Sequence, residues 1–103
     1  MKKLIKDGYL CVLYSPGWGS GWWTDHRLDE LLFDPTLVEM VLRKAEVSEM
    51  EEYCITAYGQ DLYLGALDSL DVAKVPVREP FTVDVYDGDE FILLQSDVRW
   101  FSA

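Results

Sequence analysis

The sequence holds few of the side chains that support metal or redox chemistry. Its 103 residues include two cysteines, Cys11 and Cys54, and a single histidine, His26. One histidine and two distant cysteines do not supply a zinc ligand set, and cysteines in apolar surroundings are typical of reduced, buried side chains. We therefore expect no metal site and no cofactor, and the spacing of the cysteines gives no reason to expect a disulfide.

Basic residues are also scarce. Nine lysines and arginines face 19 aspartates and glutamates, which gives a formal net charge of −10. Such a surface repels phosphate backbones, so we expect no nucleic-acid partner. A solvated acidic surface is the simplest reading of this charge. Docking on a basic protein partner, or binding of a small anion through local donors, are the two functional alternatives.

Long apolar runs are absent as well. The run Phe91–Leu94 is far shorter than the roughly 20 residues that a membrane span needs, so we expect no membrane partner. Half of the residues are nevertheless hydrophobic and 14% are aromatic, which is enough for a packed core. We interpret residues 1–103 as a single domain.

Local patterns predict strands at the start and end of the chain, with helices between them. Asp34 followed by Pro35 is a strong helix start, Ser48-Glu-Met-Glu51 fits a capping box, and Asp87-Gly88 is typical of a hairpin turn. The predicted strands are 8–14, 62–64, 70–75, 81–86 and 90–95, and the predicted helices are 25–33, 35–47 and 48–58. This order predicts an α+β fold, a mostly antiparallel sheet with two or three short helices packed on one face.

The stretch Ser15–Thr24 concentrates three of the four tryptophans and three of the seven glycines. It follows a predicted strand and leads into a predicted helix, so glycine backbone N–H groups and the helix start favour an anion. Tryptophan faces can stack on a base, and Arg27 could pair with phosphate. The alternative is a turn whose tryptophans pack on the core or on a partner subunit. The predicted ligand-binding residues are Gly17, Trp18, Gly19, Ser20, Gly21, Trp22, Trp23, Thr24 and Arg27.

Other candidate chemistry is less specific. His26 could serve as a general base, with Ser15, Ser20 or Thr24 as nucleophile, but no nucleophile-elbow motif is present. Runs of carboxylates at 46–52 and 84–90 could hold a divalent ion, although such runs are usually solvated. We therefore predict no catalytic residues and no enzyme activity.

The motifs together resemble a family of small phage and prophage proteins. The resemblance rests on Ser15-Pro-Gly-Trp-Gly-Ser-Gly-Trp22, Leu32-Phe-Asp-Pro35, Tyr63-Leu-Gly-Ala66 and the segment from Phe81 to Glu90. The chain departs from the family pattern at Trp23, where the second tryptophan of the loop is displaced. The resemblance implies a counter-defence protein in the cytoplasm of a host cell.

Two routes to counter-defence fit the residues. In the first, which we favour here, the protein sequesters a nucleotide-derived immune signal, such as a cyclic ADP-ribose isomer, without cleaving it. In the second, it is an acidic inhibitor that occupies the basic groove of a host defence nuclease. An enzyme that degrades the signal is a third class. The first route predicts that Trp18→Ala and Trp22→Ala weaken binding while the fold stays intact, and exposed tryptophans would favour a homo-oligomer.

Overall fold

The computed structural model describes residues 1–17 and 21–97 and has an α+β fold. Short α-helical segments and a longer helix lie between an N-terminal pair of strands and three C-terminal strands. The strands are β1 (Ile5–Lys6), β2 (Tyr9–Tyr14), β3 (Asp71–Pro76), β4 (Phe81–Tyr86) and β5 (Asp89–Leu94). The helices are α1 (Trp23–His26), α2 (Glu30–Phe33), α3 (Pro35–Leu42) and α4 (Val47–Tyr58).

The first sheet has three antiparallel strands in the order β1-β2-β3. The β1–β2 hairpin turns at Asp7-Gly8, where both residues have positive φ (52° and 82°). Two successive positive φ angles match the turn that follows the right-handed twist of paired strands. β3 follows the helices in the sequence and pairs with the whole of β2, from Tyr9 opposite Pro76 to Tyr14 opposite Asp71.

Alternation along β2 places a core on each face of this sheet. Cys11 and Leu13 face a cluster that α3 and α4 supply with Leu37 and Cys54. Val12 faces the opposite cluster, which also contains residues of α2, β3 and the second sheet. The two clusters account for the continuous apolar character of β2, since a strand covered on both faces has no polar side.

β4 and β5 form a separate two-stranded antiparallel sheet. Its turn residues Asp87 and Gly88 both have positive φ (50° and 82°), so the predicted hairpin turn is confirmed. The three C-terminal strands do not form one continuous meander, because β3 pairs with β2 and not with β4. Arg78 adopts a positive φ of 77°, and Pro80 has no amide hydrogen with which to continue the ladder.

The helix start at Asp34-Pro35 is confirmed. The Asp34 side chain accepts a hydrogen bond of 3.0 Å from the Leu37 amide, and Pro35 occupies the first helical turn. α3 ends earlier than predicted, because Lys44 takes a left-handed conformation (φ 57°). The predicted helix 25–33 is divided into α1 and α2 at Arg27, which also has a positive φ (55°).

Two further local predictions are wrong. α4 begins at Val47 with Glu46 at its N-cap and no side-chain cap, so Ser48 lies inside the helix and forms no capping box. Residues 62–64 form a loop, not a strand. Leu62 and Leu64 pack against the core from this loop. The alternation of apolar residues therefore reflects burial of two leucines and not pairing with another strand. Among the described residues, no helix has the length and apolar character that a membrane span requires.

Candidate functional site

Glu90 joins the β4–β5 hairpin to residues 15–24, which we call the glycine–tryptophan loop. Its side chain is 0% exposed, and its carboxylate accepts hydrogen bonds from the Ser15 amide (2.9 Å), the Thr24 amide (2.8 Å) and the Thr24 hydroxyl (2.8 Å). The Glu90 amide donates to the Ser15 carbonyl at 2.8 Å. Both sides of the loop are therefore bound to one residue of β5, which compensates for burial of the carboxylate.

A second acidic side chain binds the same loop. The Gly17 amide donates to Asp89 Oδ1 at 2.7 Å. The Tyr14 hydroxyl lies at this end of the molecule, and burial raises its pKa, with further contributions from the charges of Asp71 and Asp89. The backbone amides of Ser15, Gly17 and Thr24 thus bind carboxylates of the protein itself, and the surroundings carry negative charge that would repel a phosphate.

Trp22 belongs to the core. Its side chain is 0% exposed, and its Nε1 donates to the Leu31 carbonyl at 2.7 Å. In a continuous helix that carbonyl would accept from residue 35, but Pro35 has no amide hydrogen. The indole of Trp22 therefore supplies the donor that the proline lacks. The prediction that Trp22 stacks on a ligand is wrong, because a fully buried indole offers no face.

Trp23 is half-buried beside Arg27. The Arg27 guanidinium lies 4.7 Å from the centre of the Trp23 ring, which is within cation–π distance, and Trp23 Nε1 donates to Asp29 at 3.0 Å. A groove of about 190 Å³ lies beside this indole and is also lined by Phe33 of α2 and Phe81 of β4. Trp23 is thus the described tryptophan whose ring borders open space.

The remaining predicted ligand-binding residues have separate outcomes. Gly17 and Thr24 do not present free amides, since Asp89 and Glu90 accept from them. Gly21 is buried beside Trp22 in the sequence, so it does not form an open backbone cradle. Trp18, Gly19 and Ser20 lie outside the described residues. The sequence therefore located a loop with strong anion-binding donors, but not the internal carboxylates that occupy them.

His26 also has a structural contact. Its Nε2 lies 2.9 Å from the Tyr63 carbonyl, and its ring meets that of Trp22 edge-on, with centroids 6.2 Å apart. Within residues 1–17 and 21–97, no group of three or more histidine, cysteine, aspartate or glutamate side chains is arranged to hold a metal ion.

The outward side of the β4–β5 hairpin forms a continuous surface that sequence reasoning did not select. Opposed residue pairs along the register place six side chains on it, because alternate residues share a face. We call this surface the outer face of the hairpin; it comprises Thr82, Asp84 and Tyr86 of β4 and Asp89, Phe91 and Leu93 of β5. Tyr86 is 69% exposed and Phe91 is 41% exposed.

Charge on this hairpin has one sign. Residues 81–94 include four acidic and no basic side chains, and Asp84 and Asp87 are exposed. Exposed aromatic side chains thus alternate with carboxylates. The sequence shows this pattern as Asp84-x-Tyr86 and Asp89-x-Phe91. Once the intervening residues of each strand are assigned to the core, the pattern identifies the exposed face of the hairpin.

Comparisons of the chain with family models, curated proteins and solved structures find no match.

Proposed function

We propose that this chain is a non-enzymatic protein-binding module that docks on a basic protein surface through the outer face of the β4–β5 hairpin. The observation that carries the proposal is the combination of Tyr86 and Phe91, both exposed, with the exposed carboxylates of Asp84 and Asp87 on the same hairpin. Aromatic side chains are enriched at the centres of protein interfaces. Carboxylates around them select a positively charged partner and speed its association.

The way the hairpin is held supports the proposal. Glu90 binds the hairpin to both sides of the loop 15–24, and Phe81 packs edge-on against Phe33 of α2 at 6.2 Å. A surface that is fixed before binding loses less conformational entropy when a partner docks. At the base of the same face, a shallow cavity of about 180 Å³ beside Leu93 and Pro80 could receive an apolar side chain of the partner.

The resemblance to small phage proteins suggests the setting. In a counter-defence protein acting in the host cytoplasm, a basic target surface would be the nucleic-acid groove of a host defence nuclease. The net charge of −10 supports such a target, because occupancy of the groove by carboxylates excludes nucleic acid by charge as well as by volume.

The experiment uses purified host defence nucleases as probes and measures binding by biolayer interferometry at several salt concentrations. The test variants are Phe91→Ala and Tyr86→Ala on the hairpin. Ile55→Ala on α4 is a matched control, since Ile55 is also 41% exposed. We expect binding that weakens with salt, is competed by the nuclease's nucleic acid, and falls about tenfold or more in either hairpin variant but not in the control.

Equal losses of binding affinity in the hairpin variants and the control would contradict docking through the hairpin. Binding that salt does not weaken would contradict it as well. Light scattering on the free chain supplies a separate check. Self-association that Phe91→Ala abolishes would assign the outer face to a second copy of the chain, in place of a basic partner.

A second candidate is sequestration of a nucleotide-derived signal, such as a cyclic ADP-ribose isomer. Trp23, Arg27 and the groove between Phe33 and Phe81 support it, since an indole and a guanidinium can stack on a base and pair with phosphate. The probe is cyclic ADP-ribose, measured by thermal shift with mass spectrometry of the released ligand. Stabilisation by intact ligand that Trp23→Ala abolishes would support sequestration; a cleaved product would indicate an enzyme.

A further inference from the structure

A polar cavity lies on the helical side of the molecule, where α2, α3 and α4 meet the start of the chain. Its volume is about 460 Å³, which falls within the range of small-molecule sites. Its lining includes Lys2, Glu30, Asp34, Tyr53 and Tyr58. It shares no residue with the outer face of the hairpin or with the groove beside Trp23, so it is independent of both proposed functions.

Asp34 forms the polar centre of this cavity. Its side chain is 7% exposed, and Oδ1 is held by the Leu37 amide at the start of α3. Oδ2 accepts from the Tyr53 hydroxyl at 2.7 Å and from the Tyr58 hydroxyl at 2.5 Å. Capping of α3 needs only the first of these contacts, so the two tyrosines are additional to the helix start.

The two hydroxyl groups are oriented by these bonds. Each hydroxyl proton is committed to Asp34, so each oxygen retains acceptor capacity but no donor. Burial raises the pKa of Tyr53 to about 12; hydrogen bonding to Asp34 acts in the same direction, and hydrogen bonding to Thr36 acts in the opposite one. Burial and Asp34 likewise raise the pKa of Tyr58. Both groups are therefore neutral acceptors throughout the physiological pH range.

The charges around the cavity favour a cation. Asp34 and Glu30 carry negative charge, and Lys2 is the one basic side chain in the lining. The rings of Tyr53 and Tyr58 add faces that attract a cation. Lys2 and the Thr36 hydroxyl add donors to the lining, but a phosphate or carboxylate would also meet two carboxylates and two tyrosine hydroxyls whose protons are committed to Asp34.

We infer that the cavity between α2, α3 and α4 is a binding site for a small organic cation with several N–H donors, such as a guanidinium or a primary amine. Glu30 and the tyrosine oxygens would accept from its N–H groups, while Asp34 fixes the hydroxyls in their accepting orientation. Lys2 also lines the cavity and would compete with such a cation.

The test uses agmatine as the probe and measures binding by isothermal titration calorimetry, with acetate and inorganic phosphate as anionic controls. We expect saturable binding of agmatine and none of the anions. Tyr58→Phe removes one acceptor and should weaken binding about tenfold. Tyr9→Phe, on β2 outside the cavity, is the matched control and should leave the dissociation constant unchanged.

Two exposed positions keep the inference testable even if Tyr58→Phe perturbs folding. Glu30→Gln should weaken agmatine binding by several-fold, whereas Glu51→Gln on the exposed side of α4 makes the same change in net charge and should not. Lys2→Ala should tighten binding, because it removes the competing cation. Absence of agmatine binding, equal effects of Glu30→Gln and Glu51→Gln, or weaker binding in Lys2→Ala would each overturn the inference.

Discussion

Replacement of Glu90 by glutamine should remove much of the stability of the connection between hairpin and loop. The wild-type carboxylate accepts three hydrogen bonds within a fully buried site. A glutamine has nearly the same shape, but its amide nitrogen is a donor and would face an amide of Ser15 or Thr24. At least one buried donor then loses its acceptor.

The magnitude follows from these contacts. A hydrogen bond to a charged group contributes about 1.5–3 kcal/mol, and a buried donor left without an acceptor costs about 1–3 kcal/mol. We therefore expect Glu90→Gln to lower the free energy of unfolding by about 2–4 kcal/mol. For a domain of this length, that loss corresponds to a fall in Tm of roughly 10–20 °C.

The assay is urea unfolding followed by tryptophan fluorescence, with Asp89→Asn as the control. Asp89 is adjacent, undergoes the same change in charge, and accepts one solvent-exposed hydrogen bond from Gly17. Its replacement should cost only about 0.5–1 kcal/mol. Losses for the two variants that agree within about 0.5 kcal/mol would refute the reasoning, because they would show that burial of Glu90 does not strengthen its contacts.

Two further predictions concern the core and the tyrosine pair. Trp22→Phe should lower the free energy of unfolding by about 2–4 kcal/mol, since it leaves the Leu31 carbonyl without a donor and creates a cavity. In the same urea assay, the control Trp23→Phe should lower it by less than about 1 kcal/mol. Equal losses in the two variants would contradict the assignment of Trp22 to the core. The pKa values of Tyr53 and Tyr58 are higher in the folded state than the value near 10 of an unfolded chain. Below about pH 10 the contribution of the two tyrosines to stability is therefore fully present. That stability should be lost as pH rises from about 10 to 12, since only the unfolded state releases the proton there. Tyr58→Phe should flatten this alkaline decline in unfolding experiments at several pH values, and an unchanged slope would rule out a contribution from Tyr58.

The internal contacts of the glycine–tryptophan loop also account for backbone donors that the sequence places there. A loop with exposed backbone amides binds an anion well. Here the anions are Glu90, which accepts from Ser15 and Thr24, and Asp89, which accepts from Gly17. The same physical chemistry that suggested a phosphate ligand therefore explains an internal contact. The ligand-binding and the structural use of such a loop differ only in whether the bound anion belongs to a ligand or to the protein itself.

Short-range patterns determined much of the local structure. Asp34-Pro35 specified the start of α3 because both the cap and the restricted proline φ act within one turn. Asp87-Gly88 specified the hairpin because two positive φ angles are required there and only a few residues adopt them readily. The α+β class also followed from the sequence, since the periods of helices and strands differ.

Only the tertiary structure decided which side chains meet across long separations. Whether Trp22 stacks on a ligand or fills the core depends on the carbonyl of Leu31, and whether the loop amides are free depends on Glu90. The pairing of β3 with β2, and not with β4, likewise joins two strands that helices α1 to α4 separate in the sequence. Periodicity reports which face of an element is apolar, but it contains no information on what covers that face.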